Sequence, residues 1–121
     1  MRLRALRGAI TVEGNDRDAI LDGTEELVRE VMERNSLAAD DIVSCLFTCT
    51  GDLDAAFPSE AARRLGLSAV PLLCAKEIDV AGALPRVIRL MVHCYADEGA
   101  APQHVYLREA TGLRRDLEGA Q

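Results

Sequence analysis

The run Arg86 to Ala96, RVIRLMVHCYA, constrains this chain more than any other stretch. Its β-branched and apolar residues predict a strand. Side chains alternate across a strand, so Val87, Arg89, Met91, His93 and Tyr95 share one face and Ile88, Leu90, Val92 and Cys94 the other. Both sets are largely apolar, which is the pattern of a strand covered on two sides. Arg89 interrupts one of these faces. A guanidinium taken from water without an anion costs several kcal/mol, so Arg89 needs an anionic partner. That partner is either a protein carboxylate, such as Glu77, or a bound anion.

The remaining elements are short. Residues 2–12, RLRALRGAITV, read as a strand with Leu3, Ala5 and Arg7 on one side. Arg7 is then either an edge-strand residue whose stem covers the core or part of a site. Asn15 or Asp16 caps a helix running to about Arg34, with Ile20, Thr24, Leu27 and Val31 at helical spacing. Residues 42–50, IVSCLFTCT, are apolar on both faces and predict a central strand. Pro58 opens a short helix to Leu65, closed by Gly66. Arg63 and Arg64 lie near its C-terminus, where cations suit the helix dipole. Strands follow at 69–75, 86–96 and 104–110.

The order β-α-β-α-β-β-β predicts an α+β (mixed α/β) fold: a mixed sheet of about five strands with helices packed on one face. At 121 residues the chain reads as one domain over residues 1–121. Two helices cannot cover both faces of such a sheet, so self-association is expected to cover the second.

Composition narrows the partners. A net charge of −6 argues against non-specific nucleic-acid binding. Thirteen of the 14 basic residues are arginine, the better fork for a carboxylate or phosphate. Cys45, Cys49, Cys74 and Cys94 form no CxxC pair, so no metal site is expected, and reduced, mostly buried thiols in a cytoplasmic protein are. The N-terminus has no long apolar segment of the signal-peptide kind, and no apolar run reaches membrane-spanning length.

The residues that could carry chemistry are Arg7, Arg89 and Arg114 with Tyr106, Glu77 and Cys74. That set fits a small molecule with more than one carboxylate and a hydroxyl, and alone it names no reaction. There is no P-loop, no GxGxxG and no Cys-His-Asn arrangement around Cys74.

Several segments in order resemble one family. They are Arg4 to Val12, then DLDAAFP at 52–58, VPLLC at 70–74, EIDV at 77–80, IRLM at 88–91, HVYL at 104–107 and LRRDL at 113–117. Together they resemble the monofunctional chorismate mutases of the AroH class, the trimeric, pseudo-α/β-barrel type known from bacilli. The resemblance implies a cofactor-free, metal-free isomerase that converts chorismate to prephenate on the way to phenylalanine and tyrosine. It implies a homotrimer with active sites between subunits, in accord with the uncovered sheet face. By residue, Arg89 matches the cation that meets the ether oxygen, and Arg7 the one that holds a substrate carboxylate with Tyr106 beside it. Glu77 and Cys74 match the pair near the ring hydroxyl. Phe57, Arg63, Leu73, Leu113 and Arg114 match positions lining or closing the cleft. The catalytic set implied is thus Arg89, Glu77 and Arg7. Glu60, Leu73 and Arg115 depart from the family's pattern, and none of them belongs to that set.

Cys74 and Glu77 are an odd number of residues apart. If the strand persists between them they face opposite sides, and the stretch serves two neighbouring clefts. Two other functions fit the same arginines: an imine/enamine hydrolase of a similar trimeric fold, and a non-catalytic protein that binds an anionic metabolite.

Overall fold

The structure is a computed structural model that describes residues 1–113. Five strands form one mixed sheet: β1 (Arg2–Thr11), β2 (Ile42–Cys49), β3 (Leu72–Lys76), β4 (Val87–Ala96) and β5 (Val105–Leu107). Their spatial order is β3-β2-β4-β1-β5. Strand β4 pairs antiparallel with both β1 and β2, while β3 joins β2, and β5 joins β1, in parallel. Strand β4, read from its sequence as covered on both sides, lies at the centre of the sheet, but only one of its faces is wholly buried: on the other, Arg89, Met91 and His93 are half-buried and Tyr95 is exposed. Strand β1 lies between β4 and β5, which removes the edge-strand reading of Arg7.

Helix α1 (Arg17–Arg34) starts where expected. The Asp16 carboxylate accepts a hydrogen bond from the Ala19 amide at 2.8 Å, which satisfies one of the unpaired first-turn donors. Its buried stripe includes Ile20, Leu21, Thr24, Leu27, Val28 and Val31. The buried Thr24 hydroxyl donates to the Ile20 carbonyl at 2.7 Å, so its burial leaves no unpaired group. Helix α2 (Ser59–Arg64) ends in a Schellman turn: the Leu67 amide donates to Ala62 and the Gly66 amide to Arg63, with Gly66 at φ +94°.

Gly8 shows which sheet face the helix covers. A Cβ there would lie 3.1 Å from Leu27 Cδ1 and 3.2 Å from Val31 Cγ2, so even-numbered β1 positions face α1. The register carries that face across the sheet: Gly8 pairs with Leu90 and Val105, Leu90 with Phe47, and Phe47 with Cys74. Leu6, Ile10, Phe47, Ile88, Leu90 and Val105 are accordingly buried in the main core.

The opposite face is carried the same way, through Tyr106, Ala9, Arg89, Thr48 and Ala75 in one cross-strand row. The adjacent row is Arg7, Met91, Leu46 and Leu73. Among the described residues no helix lies over this face at Leu46 and Leu73, which are exposed.

Some boundaries differ from those read in the sequence. Strand β3 begins at Leu72 instead of 69, because Val70 is drawn into the core and its amide donates to Leu67. Strand β5 is only three residues long. Arg108 takes a positive φ of 56° and a 3₁₀ turn, Arg108–Ala110, follows. The Arg108 guanidinium donates to the Thr11 carbonyl at 3.1 Å and to Glu26 at 3.0 Å, which holds that turn.

Candidate active site

Arg89 and Glu77 meet on the helix-free face. Arg89 Nε lies 2.9 Å from Glu77 Oε2 and 3.2 Å from Oε1. Glu77 follows β3, and its amide donates to the Cys49 carbonyl at 2.9 Å, which fixes its backbone at the sheet end. The Thr48 hydroxyl donates to Glu77 Oε2 at 2.7 Å. Thr48 is the cross-strand partner of Arg89, so one short row positions all three groups. Among the described residues the Arg89 Nη atoms donate no hydrogen bond to protein. Its side chain is 42 % exposed, so these donors face outward from a guanidinium already aligned through Nε.

Ala9 separates Arg89 from Tyr106 in the same row. Its small, buried side chain belongs to a compact cluster with Val87 and Ala110, against which Tyr106, Leu84 and Leu113 pack. Arg7 lies one row away. Its backbone amide donates to His104 Nδ1 at 3.0 Å, which ties it to the start of β5. Arg7, Leu73, Glu77, Arg89, Tyr106 and Leu113 thus belong to the helix-free side. Arg114 lies outside the described residues.

Cys74 does not join them. Its register with Phe47 puts it on the helix side, half-buried. There it lines a cleft of about 640 Å³ with Phe57, Arg63, Arg17, Glu60 and Lys76. Phe57 is 72 % exposed at the mouth of this cleft. Arg17 Nη2 pairs with Glu60 Oε2 at 2.6 Å. The Arg17 hydrogen bond and charge hold the Glu60 carboxyl below its ordinary range, and Glu60 raises Arg17 in return. Cys45 and Cys49 behind the cleft are buried, and burial, then the neighbouring Cys74 thiol, pushes each up to about 12. They are inert neutral thiols at neutral pH.

Sequence reasoning found both halves of this arrangement but missed Thr48 and Arg17. Thr48 reads as an ordinary strand residue until the β2–β4 register sets it opposite Arg89. Arg17 reads as the first-turn residue of a helix until α1 and α2 pack together. Among the described residues no three His, Cys, Asp or Glu side chains converge to hold a metal ion. No helix among them is long and apolar enough to cross a membrane.

The sequence model of one family, chorismate mutase type I, matches residues 3–117. The chain belongs to the type I chorismate mutases. It is 48 % identical over 124 residues to the chorismate mutase AroH of Thermus thermophilus, covering 98 % of this chain and 99 % of that one. It is 40 % identical over 122 residues to the chorismate mutase AroH of Bacillus subtilis (strain 168), covering 97 % and 94 %. Among solved structures, a chorismate mutase from Clostridium thermocellum superposes with a TM-score of 0.88 at 46 % identity, covering 90 % of this chain and 98 % of that chain. The expected chorismate mutase family and α+β sheet both stand. The face opposite α1 and the cleft beside α2 are the two regions of this mutase that hold the described residues singled out from its sequence.

Proposed function

We propose that this chain is a chorismate mutase that converts chorismate to prephenate, an isomerisation in aromatic amino acid biosynthesis, at sites built between subunits of a homotrimer. Family membership supports the reaction. The observation that carries the site is the Arg89 guanidinium, aligned by Glu77 through Nε with its Nη donors directed outward.

In the rearrangement the ether C–O bond breaks ahead of C–C bond formation, and negative charge grows on the ether oxygen. A cation fixed beside that oxygen stabilises the transition state more than the ground state. Arg89 fills that role. Glu77 holds its plane and accepts a hydrogen bond from the ring hydroxyl, and Thr48 holds Glu77. Tyr106, at the other end of the row, and Arg7, one row away, hold a carboxylate, and Leu73 and Leu113 supply apolar walls. Keeping the flexible substrate in a compact, chair-like shape supplies the rest of the acceleration. No cofactor or metal enters this mechanism.

The split between the two regions supports an intersubunit site. Phe57, Arg63 and Cys74 open on the helix side, while Arg7, Glu77 and Arg89 lie on the other. One chain presents two half-sites, and a neighbouring copy completes each. The exposed Leu46, Leu73 and Tyr95 give the helix-free face the apolar character of a surface that another copy covers. The same reading makes residues 1–121 a single catalytic domain acting in the cytoplasm.

Loss of chorismate absorbance on mixing with the purified chain tests the activity. A rate no faster than the uncatalysed one discards it in favour of simple anion binding. Light scattering tests the assembly: a mass of three chains is expected, and a mass of one chain refutes the shared site.

A further inference from the structure

His104 has no part in the mutase mechanism above, yet it touches one of the residues that hold the substrate there. Its Nδ1 accepts a hydrogen bond from the Arg7 amide at 3.0 Å, across 97 positions of sequence. An amide N–H only donates, so Nδ1 presents a lone pair and the ring proton sits on Nε2. The direction of the backbone groups explains why this amide reaches the ring. The Val12 amide points to β4, where it donates to the Arg86 carbonyl at 3.0 Å. Backbone groups alternate along a strand, so the odd-numbered amides of β1, Arg7 among them, point to the β5 side. The β1–β5 ladder starts at Gly8 and Val105, one residue past Arg7.

The imidazole is held from both sides along its own chain. Before it, Asn35 at the C-cap of α1 grips Gln103: its side-chain amide donates to the Gln103 carbonyl at 2.9 Å, and its side-chain oxygen accepts from the Gln103 amide at 2.8 Å. The same amide group donates to the Val31 carbonyl at 2.8 Å, which ties this clamp to the helix. After the imidazole, Val105 is fully buried and paired with Gly8. With the Gln103 carbonyl engaged by Asn35, the His104 ring supplies the acceptor for Arg7. Tyr106 follows two residues later, paired with Ala9. His104 thus sits at the junction of the two strands that carry Arg7 and Tyr106.

We propose that His104 is a positioning residue: its Nδ1 fixes the Arg7 backbone to the start of β5 and so sets Arg7 and Tyr106 as a pair around one carboxylate. The role rests on the mutase reading of those two residues. Leu6 and Gly8, on either side of Arg7, pair with Val92 and Leu90 of β4 and hold the other edge of β1. At Arg7 the β5 edge is held by the ring. Without that acceptor the amide turns to water and the start of β5 can shift along β1. A misplacement of about 1 Å in a group that positions substrate costs up to about 100-fold in rate.

Substitution by asparagine tests whether the acceptor is what matters. Asparagine carries its oxygen on Cγ, where histidine carries Nδ1, whereas glutamine carries its oxygen one bond further out. His104→Ala and His104→Gln are expected to lower kcat/KM for chorismate at least about tenfold, chiefly by raising KM, because a held carboxylate is bound alike in the ground and transition states. His104→Asn is expected to stay within about threefold of the unmutated chain. Melting temperatures check that the variants fold, and the Asn and Gln comparison decides if His104→Ala does not. Nitrogen magnetic resonance spectra of the unmutated chain are expected to place the His104 ring proton on Nε2. Unchanged kcat/KM in His104→Ala overturns the proposal. So does a His104→Asn variant no better than His104→Gln, or a ring proton on Nδ1. An unmutated chain that leaves chorismate unchanged overturns the mutase reading itself, and the role of His104 with it.

Discussion

Cys74 and Glu77, three residues apart, leave the sheet on opposite sides. Cys74 follows Phe47 onto the helix side, and Glu77 reaches Thr48 and Arg89 on the other. A single chain therefore cannot gather both around one small molecule. Any site that uses both takes them from two copies. Mixing inactive Arg89→Ala chains with inactive Arg63→Ala chains is expected to restore part of the activity, since some mixed interfaces carry both intact halves. No recovery after subunit exchange refutes the shared site.

Arg89→Ala is expected to lower kcat by at least ~3 kcal/mol in activation free energy, more than about 100-fold, as for removal of one oxyanion donor. Arg89→Lys keeps a charge but loses the planar fork that lets Nε pair with Glu77 while Nη faces outward. Steady-state kinetics check both. A change confined to KM means that Arg89 does not act on the transition state.

In the proposed mechanism Thr48 is a positioning residue, acting through Glu77. Thr48→Val removes the 2.7 Å hydrogen bond to its carboxylate and is expected to lower kcat severalfold with about 1 kcal/mol lost in stability. Thr48→Ser is expected to restore kcat, because it returns the hydroxyl. Equal kcat in Val and Ser variants contradicts the role.

Glu60 pairs with Arg17 in the cleft beside α2. Glu60→Gln leaves Arg17 and Arg63 without that counter-charge. Association with an anionic substrate is expected to quicken, so kcat/KM rises several-fold at low salt and falls more steeply as salt is added. A flat salt dependence in both proteins contradicts steering by this cleft.

The cysteines give a pH prediction with a definite sign. Cys45 and Cys49 are held up to about 12, against roughly 8.5 for a free thiol. Above the free value the unfolded chain loses these protons while the folded chain keeps them, so stability falls as pH rises from about 9 toward 12. The slope is up to about 1.4 kcal/mol per pH unit for each thiol. Urea titrations across that range measure it. Alkylation of the native chain at pH 8 is expected at half-buried Cys74 before Cys45 or Cys49, read by mass spectrometry.

Gly23 packs where no side chain fits. A Cβ there would lie 2.5 Å from Val12 Cγ1, inside the α1–β1 contact. Gly23→Ala is expected to destabilise by about 1–3 kcal/mol despite the better helix propensity of alanine. A melting temperature at or above that of the unmodified chain contradicts the close contact.

The sequence by itself determined the elements, the class of fold and the identity of most candidate residues. The apolar run of residues 86–96 marked a strand, Asp16 marked the start of α1, and Gly66 marked the end of α2, since each signal is local and depends only on backbone geometry and the period of the side chains. The odd spacing of Cys74 and Glu77 predicts opposite faces for a strand that runs through both; β3 ends at Lys76, and the two still part to opposite sides. Only the tertiary structure decided who meets whom. Antiparallel register set Thr48 beside Arg89, the β1–β5 register set Tyr106 across Ala9 from it, and the packing of α1 on α2 brought Arg17 to Glu60. Those contacts, like the Arg89–Glu77 and Arg7–His104 ones 12 and 97 positions apart, join residues distant in the chain, and no local pattern encodes a register between distant strands. The strand order did the rest: by placing β4 between β1 and β2, it set Arg89 between Ala9 and Thr48, on the face opposite α1.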